Sequence, residues 1–317
     1  MDRAATLSHE KYDRLIAAAQ KEATIKVAVA HPCDDVSLRG TFEAVKLGLI
    51  EPILVGPTAR LQSAAAKAGV ELGAMEVVAS KYSQDSAAKA VELVAAGRAE
   101  ALMKGSLHTD ELMGAVVSKN TGIRTSRRIS HCFIMDVPGH PDPLIITDAA
   151  VNIGPDLDAK VDIVQNAIDL AHAMGLSEVR VAILSAVETV TAKVPSTIEA
   201  AALCKMAERG QITGALLDGP LALDNAISPE AAAIKKIHSP VAGRASVLVV
   251  PDLEAGNMLA KSLSFLARAD AAGIVLGARV PIILTSRADS LLSRLASCAV
   301  AVLFAAARRK SASAAIS

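Results

Sequence analysis

Short β-branched runs alternate with segments of helical period along most of the chain. Residues 25–30 (Ile-Lys-Val-Ala-Val-Ala) read as a strand, followed by a helix over about 36–47. Residues 52–56 form the next apolar run, stopped by Gly56-Pro57, and 58–68 have helical period. A weaker strand at 75–79, a helix at 84–96 and a strand at 99–103 continue the series. This β-α-β-α succession predicts a parallel sheet with helices on both faces. Such sheets bind ligands beyond the carboxyl ends of their strands.

The middle of the chain breaks the rhythm. Residues 128–136 and 144–147 are β-rich but are separated by Pro138-Gly139-His140-Pro141-Asp142-Pro143. Three prolines around one glycine cannot continue a ladder, so a hairpin turn or projecting arm is expected there. From Asp158 the alternation resumes with a helix carrying Val161, Val164, Ile168 and Ala171 at spacings of three and four. Strands are expected at 179–184, 215–217, 245–250, 273–276 and 281–284, and helices at 196–209, 229–237 and 255–267. A last helix over 289–308 would be capped by Asp289 and closed by Arg308-Arg309-Lys310, with a frayed Ser/Ala tail behind it. The expected architecture is two α/β lobes with the chain crossing between them.

Composition narrows the function. At 317 residues the chain exceeds a single domain of roughly 100–200 residues, and its 52% apolar content supplies a large core. With two Tyr, four Phe and no Trp, that core is aliphatic, and aromatic platforms for single-stranded nucleic acid are not expected. Lys plus Arg equals Asp plus Glu, 33 each, so no overall field favours nucleic acid or an anionic membrane. The amino-terminal residues carry Asp2, Arg3, His9 and Glu10 and do not read as a secretory signal. The apolar run 295–307 is too short to span a bilayer. Cys33, Cys132, Cys204 and Cys298 are far apart and form no C-x-x-C pair. A reduced, cytoplasmic protein that acts on small molecules or binds a protein partner is the expectation.

The chain lacks G-x-G-x-x-G after its strands, and lacks G-x-x-x-x-G-K-[ST], H-E-x-x-H and G-x-S-x-G. His140 with Asp136 and Asp142 is better explained as polar residues on an exposed arm than as a metal cluster, and no metal is expected. Three segments carry more chemistry. Thr285-Ser286-Arg287-Ala288-Asp289-Ser290 joins an apolar strand to a helix, placing hydroxyls and a guanidinium at a helix amino terminus. The strings 239–244 (SPVAGR) and 251–257 (PDLEAGN) flank another strand and bring Arg244 and Asn257. Lys104-Gly105-Ser106-Leu107-His108-Thr109 follows the strand at 99–103 and suits an anion, and Arg124, Arg127 and Arg128 form a local basic patch. The basic patch fits a phosphorylated small molecule better than a nucleic-acid surface, while the three segments read equally as a capped helix with a surface arginine, ordinary loop chemistry and a solvated loop.

At these segments the chain resembles the phosphate acetyltransferase / phosphate butyryltransferase family. The resemblance is carried by SPVAGR at 239–244 with VLVVPDLEAGN at 247–257, DGPLALDNAI at 218–227 and PIILTSRADS at 281–290, in the family's order and spacing. It implies an α/β fold with two domains, mostly parallel sheets and an interdomain cleft, an isocitrate/isopropylmalate-dehydrogenase-like architecture. The first domain would comprise 1–126 and 274–317, with 127–273 inserted. It further implies a homodimer that transfers a short acyl group, acetyl or butyryl, reversibly from acyl-CoA to inorganic phosphate. Coenzyme A would be substrate and product, with no other cofactor. The family's serine-arginine pair falls on Ser286 and Arg287. The resemblance to the acetyltransferase branch implies an aspartate seven positions after the serine as base and an arginine in the helix after the His-containing loop, and here these places hold Ser293 and Met113. The T-S-R-A-D-S form is closer to the butyryltransferase branch, leaving Asp289 or Lys104 for the missing roles. Lys104, Ser106, His108, Arg127, Arg244, Asn257 and Ser290 are the substrate-binding candidates.

The implied chemistry needs neither metal nor acyl-enzyme. Phosphate, with a second ionisation near pH 6 in its esters, is already nucleophilic at neutral pH. Held by Arg287 and a second cation, it would attack the thioester while Ser286 donates to the oxyanion. The alternatives are a non-catalytic acyl-CoA-binding protein and a metal- or NAD-dependent dehydrogenase of related fold.

Overall fold

Hydrophobic alternation becomes two sets of mostly parallel strands in a computed structural model, which describes residues 10–73, 75–119, 123–285 and 289–314. The chain divides into two compact units. One comprises Leu15–Ile129 and Ala272–Ser317, the other Ser130–Ala271 with residues up to Arg14. The family resemblance implied borders at 126/127 and 273/274.

In the first unit the strands are β1 (Ile25–Ala30), β2 (Ile50–Gly56), β3 (Glu76–Ala79), β4 (Ala101–Lys104), β10 (Asp270–Leu276, in this unit from Ala272 on) and β11 (Ile282–Ile283), in spatial order β3-β2-β1-β4-β11-β10. All pairs are parallel except the β10–β11 hairpin. Central β1 and β4 are buried throughout apart from Lys26, as near-continuous apolar runs covered on both faces must be. Pro52 sits within β2 opposite Val27, and β3 begins only opposite Ile53, so no β3 neighbour is denied a hydrogen bond there. The helices are α2 (Asp35–Lys46), α3 (Thr58–Ala68), α4 (Ser83–Ala95), α5 (Thr109–Val117) and α11 (Leu291–Ala314).

α11 departs from expectation at both ends. Its first turn is capped by Ser290, whose Oγ accepts the Ser293 N–H at 3.0 Å, and not by Asp289. It also continues past Arg308-Arg309-Lys310 to Ala314. Those cations are occupied laterally: Arg309 pairs with Glu100 at 2.6 Å and Lys310 with Glu22 at 2.8 Å. At 24 residues the helix is long and apolar enough to cross a membrane, although the apolar run inside it is shorter. Burial of Ala296, Cys298, Ala299, Val300, Ala301 and Val302 makes it the core helix of its unit.

In the second unit the order is β5 (Ser130–Asp136), β6 (Leu144–Thr147), β9 (Val247–Val249), β7 (Arg180–Leu184), β8 (Leu216–Leu221). Only β5 and β6 are antiparallel, with Cys132 opposite Thr147, as the proline-rich turn between them requires. Around them lie α6 (Leu157–Ala173), α7 (Pro195–Glu208), α9 (Pro229–Ile234) and α10 (Leu253–Leu266). Two short or charged helices escaped the sequence reading: α1 (Glu10–Ala19) and the five-residue α8 (Leu223–Ile227). Tyr12 of α1 is fully buried, its hydroxyl donating to the Ile134 carbonyl at 2.6 Å and the Asp270 carbonyl at 3.0 Å. Asp136, expected on an exposed arm, is buried. His140 remains at the turn, its Nδ1 2.8 Å from the Asp142 carbonyl.

Candidate active site

The parallel register of β1, β4 and β11 decides which loops become neighbours. Ala30 stands opposite Lys104, and Met103 opposite Ile283. The segments leaving these strands at His31, Gly105 and Leu284 therefore emerge side by side at the carboxyl edge of the first unit, where parallel sheets hold ligands.

Gly105 is required by the closeness of that packing. A Cβ there would lie 2.5 Å from the Ala30 carbonyl oxygen and 2.6 Å from the His31 carbonyl. The next residue, Ser106, donates its hydroxyl to the His31 carbonyl at 2.8 Å and accepts the Cys33 N–H at 3.2 Å. His31 is buried, its Nδ1 2.8 Å from Ser86 Oγ. Burial, with the Arg60 charge behind it, holds its pKa below the ordinary value, so the ring is neutral at pH 7. The Cys33 thiol is pushed up to about 11 by burial and is no nucleophile at neutral pH.

Lys104 closes β4 with a buried side chain. Its Nζ approaches the Gly105 carbonyl at 3.3 Å and the Thr285 carbonyl at 3.4 Å. Thus the lysine at the end of one strand reaches the residue immediately before Ser286. Ser286 and Arg287 themselves lie outside the described residues. Asp289 is half-buried and Ser290 exposed, the latter capping α11. Ser293 is buried and accepts a hydrogen bond from Ser290 Oγ at 3.1 Å. His108 is exposed at the start of α5, its backbone N–H held by Glu111 at 2.9 Å. The Ser83 hydroxyl, 2.6 Å from the same carboxylate, keeps Glu111 below the usual carboxylate range. Arg127 is half-buried in a loop fastened by Thr125, which accepts the Arg127 N–H at 3.1 Å and donates to the Gly277 carbonyl at 2.6 Å.

In the second unit Arg244 and Asn257 are not brought together. Arg244 is exposed three residues before β9, at its amino end. Asn257 belongs to the start of α10, beyond the carboxyl end of β9, and its Nδ2 donates to the Ala149 carbonyl at 3.3 Å. Gly256 lets this helix close on the loop after β6: a Cβ there would lie 2.9 Å from that of Ala149. In the same loop Asp148 is buried and accepts the N–H groups of Ala150 and Val151 at 3.0 Å, with Asn152 Nδ2 also donating to it at 2.5 Å. Beside it is His131, fully enclosed, whose pKa burial lowers to about 4. Among the described residues no group of three or more His, Cys, Asp or Glu is placed to hold a metal ion.

Residues 78–302 match the phosphate acetyl/butaryl transferase family. The chain belongs to this family. It is 70% identical over 299 residues to a phosphate acetyltransferase of Rhizobium meliloti, covering 94% of this chain and 95% of that protein. To a phosphate butyryltransferase of Clostridium acetobutylicum it is 39% identical over 296 residues, covering 93% and 98%. Its fold is similar to that of a branched-chain phosphotransacylase from Enterococcus faecalis, with a TM-score of 0.78 at 30% identity over 89% of this chain and 99% of that one. The protein is an acyltransferase moving an acyl group between coenzyme A and phosphate.

Two residues of this edge carried no signal of their own in the sequence. His31 and Arg294 are buried polar side chains that only strand register and helix packing bring to it. Thr285, also buried, was visible as one of the hydroxyls of T-S-R-A-D-S.

Proposed function

We propose that the chain is a phosphate acetyltransferase whose chemistry is carried by the segment after β11. The observation that supports this reading is Lys104 Nζ at 3.4 Å from the Thr285 carbonyl, one residue before Ser286. It puts a buried cation against the last described residue before the serine-arginine pair. Arg287 would grip phosphate oxygens, with Lys104 as the second cation. Ser286 would donate to the developing oxyanion, an interaction that strengthens only in the transition state. Phosphate arrives as its own nucleophile and coenzyme A leaves as thiolate, so the step needs no metal and no redox cofactor. Ser293 is engaged with Ser290, leaving Asp289 as the carboxylate for the reverse direction, in which the thiol with its pKa near 8.5 needs activation. A cytoplasmic homodimer is the proposed working form.

Acetyl preference is supported by identity of 70% to an acetyltransferase against 39% to a butyryltransferase. Initial rates of thiol release from acetyl-, propionyl- and butyryl-CoA, at saturating phosphate, test it. The expected order is acetyl above propionyl above butyryl in kcat/KM. Butyryl-CoA as the best substrate would reassign the chain within the family.

A further inference from the structure

Arg294 is in the first turn of α11 and is only 4% exposed. Both circumstances oppose a cation. The amino end of a helix carries partial positive charge, and burying a guanidinium costs more than its contacts usually return. Room is nonetheless made for it. A Cβ on Gly40, in α2, would lie 3.0 Å from Arg294 Cδ, so the arginine stem crosses α2 where a side chain is missing. From there Nη1 donates to Thr285 Oγ1 at 3.1 Å.

Thr285, 3% exposed, is thereby held twice: its hydroxyl by Arg294, its carbonyl by Lys104 Nζ at 3.4 Å. The two cations come from different elements, α11 and β4. The Thr285 carbonyl belongs to the planar peptide unit that also contains the Ser286 nitrogen and Cα. A β-branched side chain has few rotamers, so fixing its hydroxyl restrains the backbone that bears it. Holding both groups fixes Thr285, the last described residue before the segment.

We propose that Arg294 is a positioning residue for acyl transfer, acting through the Thr285 hydroxyl on the segment that begins at Ser286. This rests on the reading that Ser286 and Arg287 carry the reaction. Its effect belongs on kcat, because a misplacement of about 1 Å in a reacting group can lower a rate by about a hundredfold without altering ground-state binding.

The test is a double-mutant cycle on steady-state kinetics with acetyl-CoA and phosphate, using Arg294→Lys, Thr285→Val and the pair, with Thr285→Ser and Ser286→Ala alongside. Arg294→Lys keeps the charge and loses the planar fork. Each of the two single variants is expected to lower kcat by about ten- to a hundredfold, with the acetyl-CoA KM within about twofold. The pair should fall by less than the product of the singles, since both changes cut the Arg294–Thr285 contact. Thr285→Ser should recover most of what Thr285→Val loses. Losses that multiply in the pair, or a lowered melting temperature with kcat unchanged, would overturn the proposal. If Arg294→Lys does not fold, Thr285→Val against Thr285→Ser decides, since equal kcat in those two removes the hydroxyl from any role. Full activity in Ser286→Ala would instead overturn the reading of the segment, whatever the cycle shows.

Discussion

Lys11 Nζ lies 2.6 Å from Asp136 Oδ1, with both side chains buried. The same ammonium donates to the Val137 carbonyl at 3.0 Å. A helix from the start of the chain is thus fastened to the end of β5 by a desolvated ion pair. Removing one partner of such a pair strands a buried charge and typically costs about 3–5 kcal/mol, whereas replacing both by apolar residues can be close to neutral. Asp136→Asn should therefore lower the urea midpoint sharply, and Lys11→Met with Asp136→Leu should restore much of it. A double variant as unstable as the single would show that the pair stabilises through its charges and not merely through its burial.

Gly105 should tolerate no side chain. With backbone atoms of Ala30 and His31 within 2.6 Å of any Cβ, relief requires β1 and β4 to separate at their carboxyl ends. Gly105→Ala is expected to destabilise by roughly 1–3 kcal/mol, as overpacking does, and to lower activity through the displaced Lys104 and Ser106. Thermal unfolding with paired rate measurements checks both. Wild-type stability would mean the three segments are not packed as described.

His131 gives the fold a pH dependence of known sign. Burial lowers its pKa from 6.5 to about 4, so the folded protein keeps the ring neutral where the unfolded chain protonates it. Between those values the unfolded state binds more protons, and stability falls as pH falls. The contribution is complete above pH 6.5, and about 3 kcal/mol is lost on descending to pH 4. His131→Phe keeps a ring against Phe133, whose centroid is 4.4 Å away, and should flatten the urea-midpoint profile between pH 6.5 and 4. An unaltered slope would mean that other groups carry it.

The fold was legible wherever one periodicity ran uninterrupted. Residues 25–30, 58–68 and 144–147 became β1, α3 and β6 at the expected bounds, because apolar runs ended by Gly, Pro or polar turns have one sensible reading. α1 was missed since its apolar positions are spaced among charges, one of which, Lys11, is itself buried. Asp136 was misjudged for the same reason: its partner is 125 residues away, and no local pattern announces a desolvated pair. The cap of α11 fell to Ser290 because a hydroxyl one residue closer to the helix reaches the Ser293 N–H directly. At the candidate site, Lys104 and Ser106 were legible as a lysine and a hydroxyl following a strand. Their meeting with Thr285 depends on β11 lying beside β4, and strand order across such a distance is not written in any local run.

The most direct test of the account is coenzyme A release from acetyl-CoA, followed with and without phosphate for the wild type and for Ser286→Ala, with hydroxylamine trapping the product. The wild type should release thiol only with phosphate and yield trapped acetyl phosphate. Ser286→Ala should bind acetyl-CoA as before and lose about 10²–10³ in kcat, the range seen when an oxyanion donor is removed. Release that ignores phosphate, or full turnover in Ser286→Ala, would contradict it.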